Sequence, residues 1–162
     1  SRSSAASDVY KRQVTADYLG IDPNQPFDPE SFVLSKRFDI LGTYEAYKKF
    51  HVEEDGIPKT EDLLWTIVST YTDWKVELTS SIDMELSVRE ANTKRGSGQK
   101  ETLPAGTHFV LLKTDGEAYA EAMLDDGRIC EFELEHPSEE EWEGRINGVS
   151  ISDCFEYVPY AG

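Results

Sequence analysis

The sequence predicts an α+β protein, with a mainly helical N-terminal segment followed by a small β-barrel. Two changes of pattern carry that expectation. Leu63, Leu64, Ile67, Val68 and Tyr71 fall at helical spacing, whereas from Trp74 onward the period drops to two. Short strands then succeed one another, separated by glycine-bearing turns, as in small barrels and sandwiches. A chain of 162 residues holds one ordinary domain or two small ones. The division expected is a tail at 1–13, a segment with two helices at 14–78, and a barrel at 79–162.

Residues 1–13 read SRSSAASDVYKRQ, which is Ser-rich and without apolar period. The run resembles the translated sequencing-adapter read-through seen in some assembled metagenomes. That resemblance implies a non-native or disordered tail and a native start outside this sequence. Without it the remainder holds 13 basic and 31 acidic residues, a formal charge of -18. Residues 22–30, DPNQPFDPE, hold three prolines and read as a loop. Asp22, Asn24 and Asp28 carry calcium-type oxygens, but the prolines break the fixed frame of an EF-hand loop. A strand is expected within 31–41. Thr43 is placed to cap a helix through Tyr44, Tyr47 and Phe50, ending near Gly56. Thr60 is placed to cap a second, with Glu61 and Asp62 in a first turn that favours acids. Trp65 lies off the stripe of that helix and is expected to pack rather than face solvent.

Beyond residue 74, Trp74, Val76 and Leu78 alternate with Lys75, Glu77 and Thr79, and Met84, Leu86 and Val88 repeat the pattern. A polar loop follows at 92–100. Strands are then expected in THFVLLKT, AYAEAML and RICEFELE, with turns at Asp115-Gly116 and Asp126-Gly127. No internal repeat is visible.

The stretches LSVRE at 86–90, LPAGT at 103–107, TDG at 114–116 and LDDGRICEFEL at 124–134 appear in an order that resembles a bacterial SH3-like domain. The tail INGVSISDCFEYVPYAG at 146–162 is similar to the end of such domains in secreted proteins and lipoproteins of Gram-positive gut bacteria. The resemblance covers about half the chain and implies an SH3-like barrel in an extracellular or cell-surface protein. The chain departs from that family where a G-W-x-x-V/I strand is usual, having Ala118-Tyr119-Ala120-Glu121-Ala122 instead. Binding of cell-wall peptide in the family's manner is therefore not implied.

Charge narrows the partners. Lys and Arg number 16 against 32 Asp and Glu, a formal charge of -16. Nucleic-acid binding relies on basic side chains that neutralise phosphate, so direct binding is not expected. An anionic membrane would also repel the chain, and no stretch is apolar enough to span one. A protein or cell-surface ligand of basic character fits better.

Catalytic chemistry is not legible. His51, His108 and His136 lack zinc-ligand spacing, and His51 beside Glu53, Glu54 and Asp55 reads first as a solvated charged end. Cys130 and Cys154 lack a local nucleophile signature. They suit either a disulfide in a secreted chain or two buried thiols. No catalytic residue, metal or cofactor is expected. Glu131, Glu133 and Glu135 would line one strand face, and Glu139, Glu140, Glu141 and Glu143 surround Trp142. These seven acids form the expected docking face, with Tyr119, Trp142, Tyr157 and Tyr160 as the ligand-binding aromatics. The expected function is a non-catalytic binding module. The rival reading is a cytoplasmic acidic inhibitor or nucleic-acid mimic, such as a phage anti-defence protein, blocking a basic groove. A fragment of a hydrolase is the third.

Overall fold

A computed structural model describes residues 2–68 and 75–160, with side chains from residue 6 onward except that of Val68. Tyr71 and Trp74, which carried part of the expected patterning, lie outside the described residues. In chain order the elements are α1 (Arg2–Leu19), β1 (Phe32–Asp39), β2 (Thr43–Val52), β3 (Pro58–Lys59), β4 (Trp65–Val68), β5 (Glu77–Thr79) and β6 (Met84–Arg89). There follow β7 (Gln99–Leu103), β8 (His108–Thr114), β9 (Tyr119–Leu124), β10 (Ile129–Glu133), β11 (Arg145–Ile146), β12 (Val149–Ser150) and α2 (Ile151–Cys154). The class is α+β and rich in antiparallel sheet. Among the described residues, ten strands follow the path β1-β2-β4-β8-β9-β10-β6-β7, with β3 on β2 and β5 on β8. That path is open rather than a closed ring.

Neither expected internal helix forms among the described residues: Thr43–Val52 is β2, and Trp65–Val68 is β4. In β2 the buried Tyr44, Ala46 and Val52 share one parity with half-buried Phe50, a period of two. The helical reading had joined Tyr44, Tyr47 and Phe50 instead. Aromatic and β-branched residues favour the pleated surface. Thr60 accepts the Asp62 N–H as a cap would, at 3.2 Å, yet the chain runs on into β4. Trp65 and Thr66 there lie opposite Thr114 and Lys113 of β8. The expected tail is also structured, since α1 begins at Arg2.

The chain forms two compact units, each discontinuous in sequence. The first comprises Ser1–Ser35 and Tyr47–Leu63, the second Lys36–Ala46 and Leu64–Gly162. In the first unit, α1 buries Thr15 and Ala16 among its described side chains, while Val9, Tyr10 and Tyr18 face solvent. Lys11 Nζ meets Glu30 at 2.7 Å, and the Arg12 guanidinium lies 5.4 Å from the Phe27 ring centre. Phe27, Phe32 and Phe50 continue as a row of rings 5.3 and 5.6 Å apart.

The second unit holds the larger core. On β6, Met84, Leu86 and Val88 are buried in strict alternation, as expected from sequence. Register places Val88 opposite Cys130, and Cys130 opposite Ala122. Phe109, Phe132 and Phe155 meet edge to face, with centres 5.2 to 6.2 Å apart. Such ring pairs add about 0.5–1.5 kcal/mol each beyond area burial. The single turn of α2 delivers Phe155 to this cluster. Ser81 N–H to Cys154 O (2.8 Å) and Glu156 N–H to Thr79 O (2.9 Å) then tie the tail to β5 and its exit. Trp65 packs edge-on to Phe38, with centres 5.3 Å apart. Cys130 and Cys154 are free, buried thiols rather than a disulfide.

Candidate functional site

Two groups of candidate site residues lie in the second unit. The first is an exposed aromatic corner. Trp142, in the loop between β10 and β11, is 71% exposed. Its ring nevertheless stands edge-on to Tyr160, with centres 5.2 Å apart. Tyr160 is held because the C-terminal segment is stitched to the β1–β2 turn: Thr43 N–H donates to Pro159 O at 2.9 Å. That turn uses Leu41 and Gly42 at positive φ. A side chain on Gly42 would be strained at φ +116 and would press on Pro159, whose carbonyl lies 3.4 Å from the added carbon. Burial pushes the Tyr160 hydroxyl up to about 12, with the Glu143 carboxylate adding to it and the Gly42 N–H opposing. It therefore stays protonated at neutral pH.

Acids surround this corner unevenly. Glu139 and Glu140 are exposed. Glu141 takes a two-pronged contact from Arg145, Nη2 to Oε1 at 2.5 Å and Nε to Oε2 at 3.0 Å. Glu143 has a buried Oε1 without a hydrogen-bond partner among the described residues. Tyr157 is 73% exposed.

The second group lies on the face of the β9–β10–β6 sheet turned away from the phenylalanine cluster. Cross-strand register sets Glu131 opposite both Glu121 and Ser87, and Arg89 opposite Ile129. Two carboxylates facing each other across strands repel. Arg89 resolves this by donating Nη2 to Glu121 (2.5 Å) and Nε to Glu131 (3.3 Å), all three side chains being under a tenth exposed. Its Nη1 donates to Thr93 O at 2.9 Å, and Gly96 N–H donates to Glu131 at 2.9 Å. The loop between β6 and β7 is thereby folded onto the sheet. Gly98 permits the close approach, since an added Cβ would lie 2.7 Å from Ser87 Oγ and 2.8 Å from Val88 O.

Two expected site residues change role here. Tyr119 is no surface aromatic but 6% exposed, with the Arg95 guanidinium 3.6 Å above its ring centre. Its hydroxyl lies beside the Glu131 carboxylate without reaching hydrogen-bond geometry, and burial first, then Glu121 and Glu131, raise its pKa and keep it protonated. Glu131 leaves the expected docking face because burial and Arg89 engage it. Glu133 and Glu135 are exposed, and Glu135 exchanges backbone hydrogen bonds with Arg145 at 2.8 Å. Sequence reasoning missed Arg89 and Glu121. Their position on strand faces opposite to buried alternating residues was the available signal.

Other candidate centres are occupied by the chain's own groups. Lys59 Nζ sits at 2.9 and 3.3 Å from Glu53 and Asp55, where His51 had suggested mixed metal ligands. Asp22 and Asp28 accept the N–H of Asn24 and Glu30 two residues on, each at 2.9 Å. Among the described residues no group of His, Cys, Asp and Glu is arranged to hold a metal ion. Burial pushes the Cys130 and Cys154 thiols up to about 12 and about 11, so both are thiols rather than nucleophilic thiolates at neutral pH. Among the described residues no helix is long and apolar enough to cross a membrane. Comparison of the chain with protein-family models, curated proteins and solved structures finds no match in any of the three.

Proposed function

We propose that this chain is a non-catalytic binding module that docks a basic protein segment at the Trp142–Tyr160 corner. One observation carries the reading. A tryptophan is 71% exposed yet held against a second ring, in a loop that bears Glu139, Glu140 and Glu143. A large apolar ring costs solubility when exposed and gains when a partner covers it, and Trp is enriched among residues that dominate binding energy. The surrounding carboxylates select for cationic side chains, which are attracted to an indole face as well. Tyr157, Glu133 and Glu135 are exposed residues that would extend the surface.

The wider reading joins this corner to the SH3-like resemblance of residues 79–162 and to an extracellular or cell-surface setting. The nucleic-acid-mimic reading requires carboxylates free to present as a row. Glu121, Glu131 and Glu141 are instead engaged by Arg89 and Arg145, and Arg128 holds Glu101 and Asp126 at 2.8 Å each.

A panel of Lys- and Arg-rich peptides, titrated by calorimetry and surface plasmon resonance, tests the proposal. Trp142→Ala is expected to weaken binding about tenfold or more, as for a residue at the centre of an interface. Replacing Glu139, Glu140 and Glu141 by Gln is expected to slow association more than it speeds dissociation, because exposed charges steer encounter. Affinity unchanged by Trp142→Ala would remove the corner as the docking site.

A further inference from the structure

The loop between β6 and β7 places a cation where a partner's cation would fit. Arg95 is itself exposed, yet its guanidinium carbon lies over the buried Tyr119 ring, 3.6 Å from the centre. Around that ring stand two carboxylates of its own sheet face, Glu121 and Glu131, and a third, Asp115, from the β8–β9 turn. Glu121 and Glu131 are each 7% exposed. Asp115, whose negative charge Arg95 favours, has its Oδ1 turned to the N–H groups of Glu117, Ala118 and Tyr119 at 2.8, 3.0 and 3.0 Å. Arg89 answers only part of this charge, one guanidinium against Glu121 and Glu131. The Tyr119 hydroxyl is buried there without a hydrogen-bond partner among the described residues.

We propose that Tyr119, Glu121, Glu131 and Asp115 form an arginine-recognition site that Arg95 occupies in cis, and that an arginine of a basic partner displaces it. The chemistry selects arginine over lysine. A guanidinium is planar, stacks on an aromatic face and is weakly hydrated, whereas an ammonium is a compact, strongly hydrated charge. Arg95 is easily released because it is exposed and lies outside the hydrogen bonds that hold its loop. Those run through Thr93 O and Gly96 N–H and survive its departure. Its tether gives it a high effective concentration, so a free ligand meets a site that is vacant only part of the time. Apparent affinity falls by that vacant fraction. The site is distinct from the Trp142 corner and does not rest on it.

The test uses blocked tri-arginine and tri-lysine peptides against the wild type, Arg95→Ala and Arg95→Lys, by calorimetry at fixed ionic strength. Vacating the site is expected to tighten tri-arginine binding about fivefold, the scale of a partly desolvated cation–π contact. Tri-lysine is expected to change less than about twofold, because lysine lacks the planar fork. Arg95→Lys is expected to behave as Arg95→Ala does toward tri-arginine, since it keeps the charge and loses the stacking. It also serves should the alanine variant fold poorly. Amide resonances of Tyr119 and Gly96 are expected to move on tri-arginine binding. The gain should persist when Trp142→Ala is added, which separates this site from the corner. Equal gains for both peptides would reduce the effect to the lost positive charge and overturn the proposal. So would an unchanged or weaker tri-arginine affinity.

Discussion

Arg89 answers for two buried carboxylates. Taking charges out of water costs several kcal/mol each, and their attraction offsets this only when the geometry is complete. Arg89→Met leaves Glu121 and Glu131 facing each other, buried and unpaired. The expected cost is about 3–5 kcal/mol of unfolding free energy in a urea titration. Adding Glu121→Gln and Glu131→Gln to the Met variant is expected to restore part of the loss, because the uncompensated charge is then gone. A single Arg89→Met cost within about 0.5 kcal/mol, the range of ordinary surface changes, would show the ion pairs to be solvated instead. The same residue shows how side-chain parity misleads. Arg89 and Glu131 look like surface charges in a strand that alternates, and they are on the face opposite the core. What buries them is a loop arriving from 90–98.

At the scale of elements, β8 is the hub of the second unit, paired along its length by β4, β5 and β9. His108 at its start is held by Asp125 at 2.7 Å from the β9–β10 turn and by Glu77 at 3.2 Å from β5. The Asp125 hydrogen bond above all raises the His108 pKa over its usual 6.5. The folded state therefore binds a proton that the unfolded chain releases sooner. Stability from this clamp is complete below about pH 6.5 and is lost as pH rises through the higher folded value. His108→Gln is expected to lower the thermal midpoint more at pH 5.5 than at pH 8.5. Equal losses at both values would mean that the imidazole acts only as packing. Asp115 runs the other way. Burial opposes its ionisation, but the three backbone donors prevail and lower its pKa. Its contribution is present at neutral pH and fades as acid approaches that lowered value.

The whole molecule carries a formal charge of -16. Self-repulsion of that size destabilises the compact state, and salt screens it over about 8 Å at physiological ionic strength. Raising sodium chloride from 10 to 200 mM is expected to raise the thermal midpoint. With 32 acids against 16 Lys and Arg, repulsion outweighs the exposed pairs that salt also weakens. A midpoint that falls with salt would show that pairs such as Arg128–Glu101 dominate instead. The measurement also bears on binding, because a surface that gains stability from screening gains it from a basic partner as well.

Composition, charge and the period-two patterning of residues 76–134 were readable without coordinates. Alternation is a local property, since successive side chains on a strand point to opposite faces. Hence Met84, Leu86, Val88, Phe132 and Leu134 were legible as inward-facing, and glycine turns marked the breaks. Trp142 was expected as a ligand-binding aromatic beside its acidic neighbours, and the fold leaves it exposed. Residues 43–68 were not legible in the same way. Tyr44, Ala46, Phe50 and Val52 fit a strand, and Tyr44, Tyr47 and Phe50 fit a helix. Only pairing with other strands decides between them, because a strand's hydrogen bonds are made by distant residues. The same holds for function. Chain order placed Trp142 and Tyr160 eighteen residues apart and Arg89, Glu121 and Glu131 on three strands. Tertiary structure alone brought the rings together and set one arginine against two carboxylates, because cross-strand register and loop closure are properties of the folded chain.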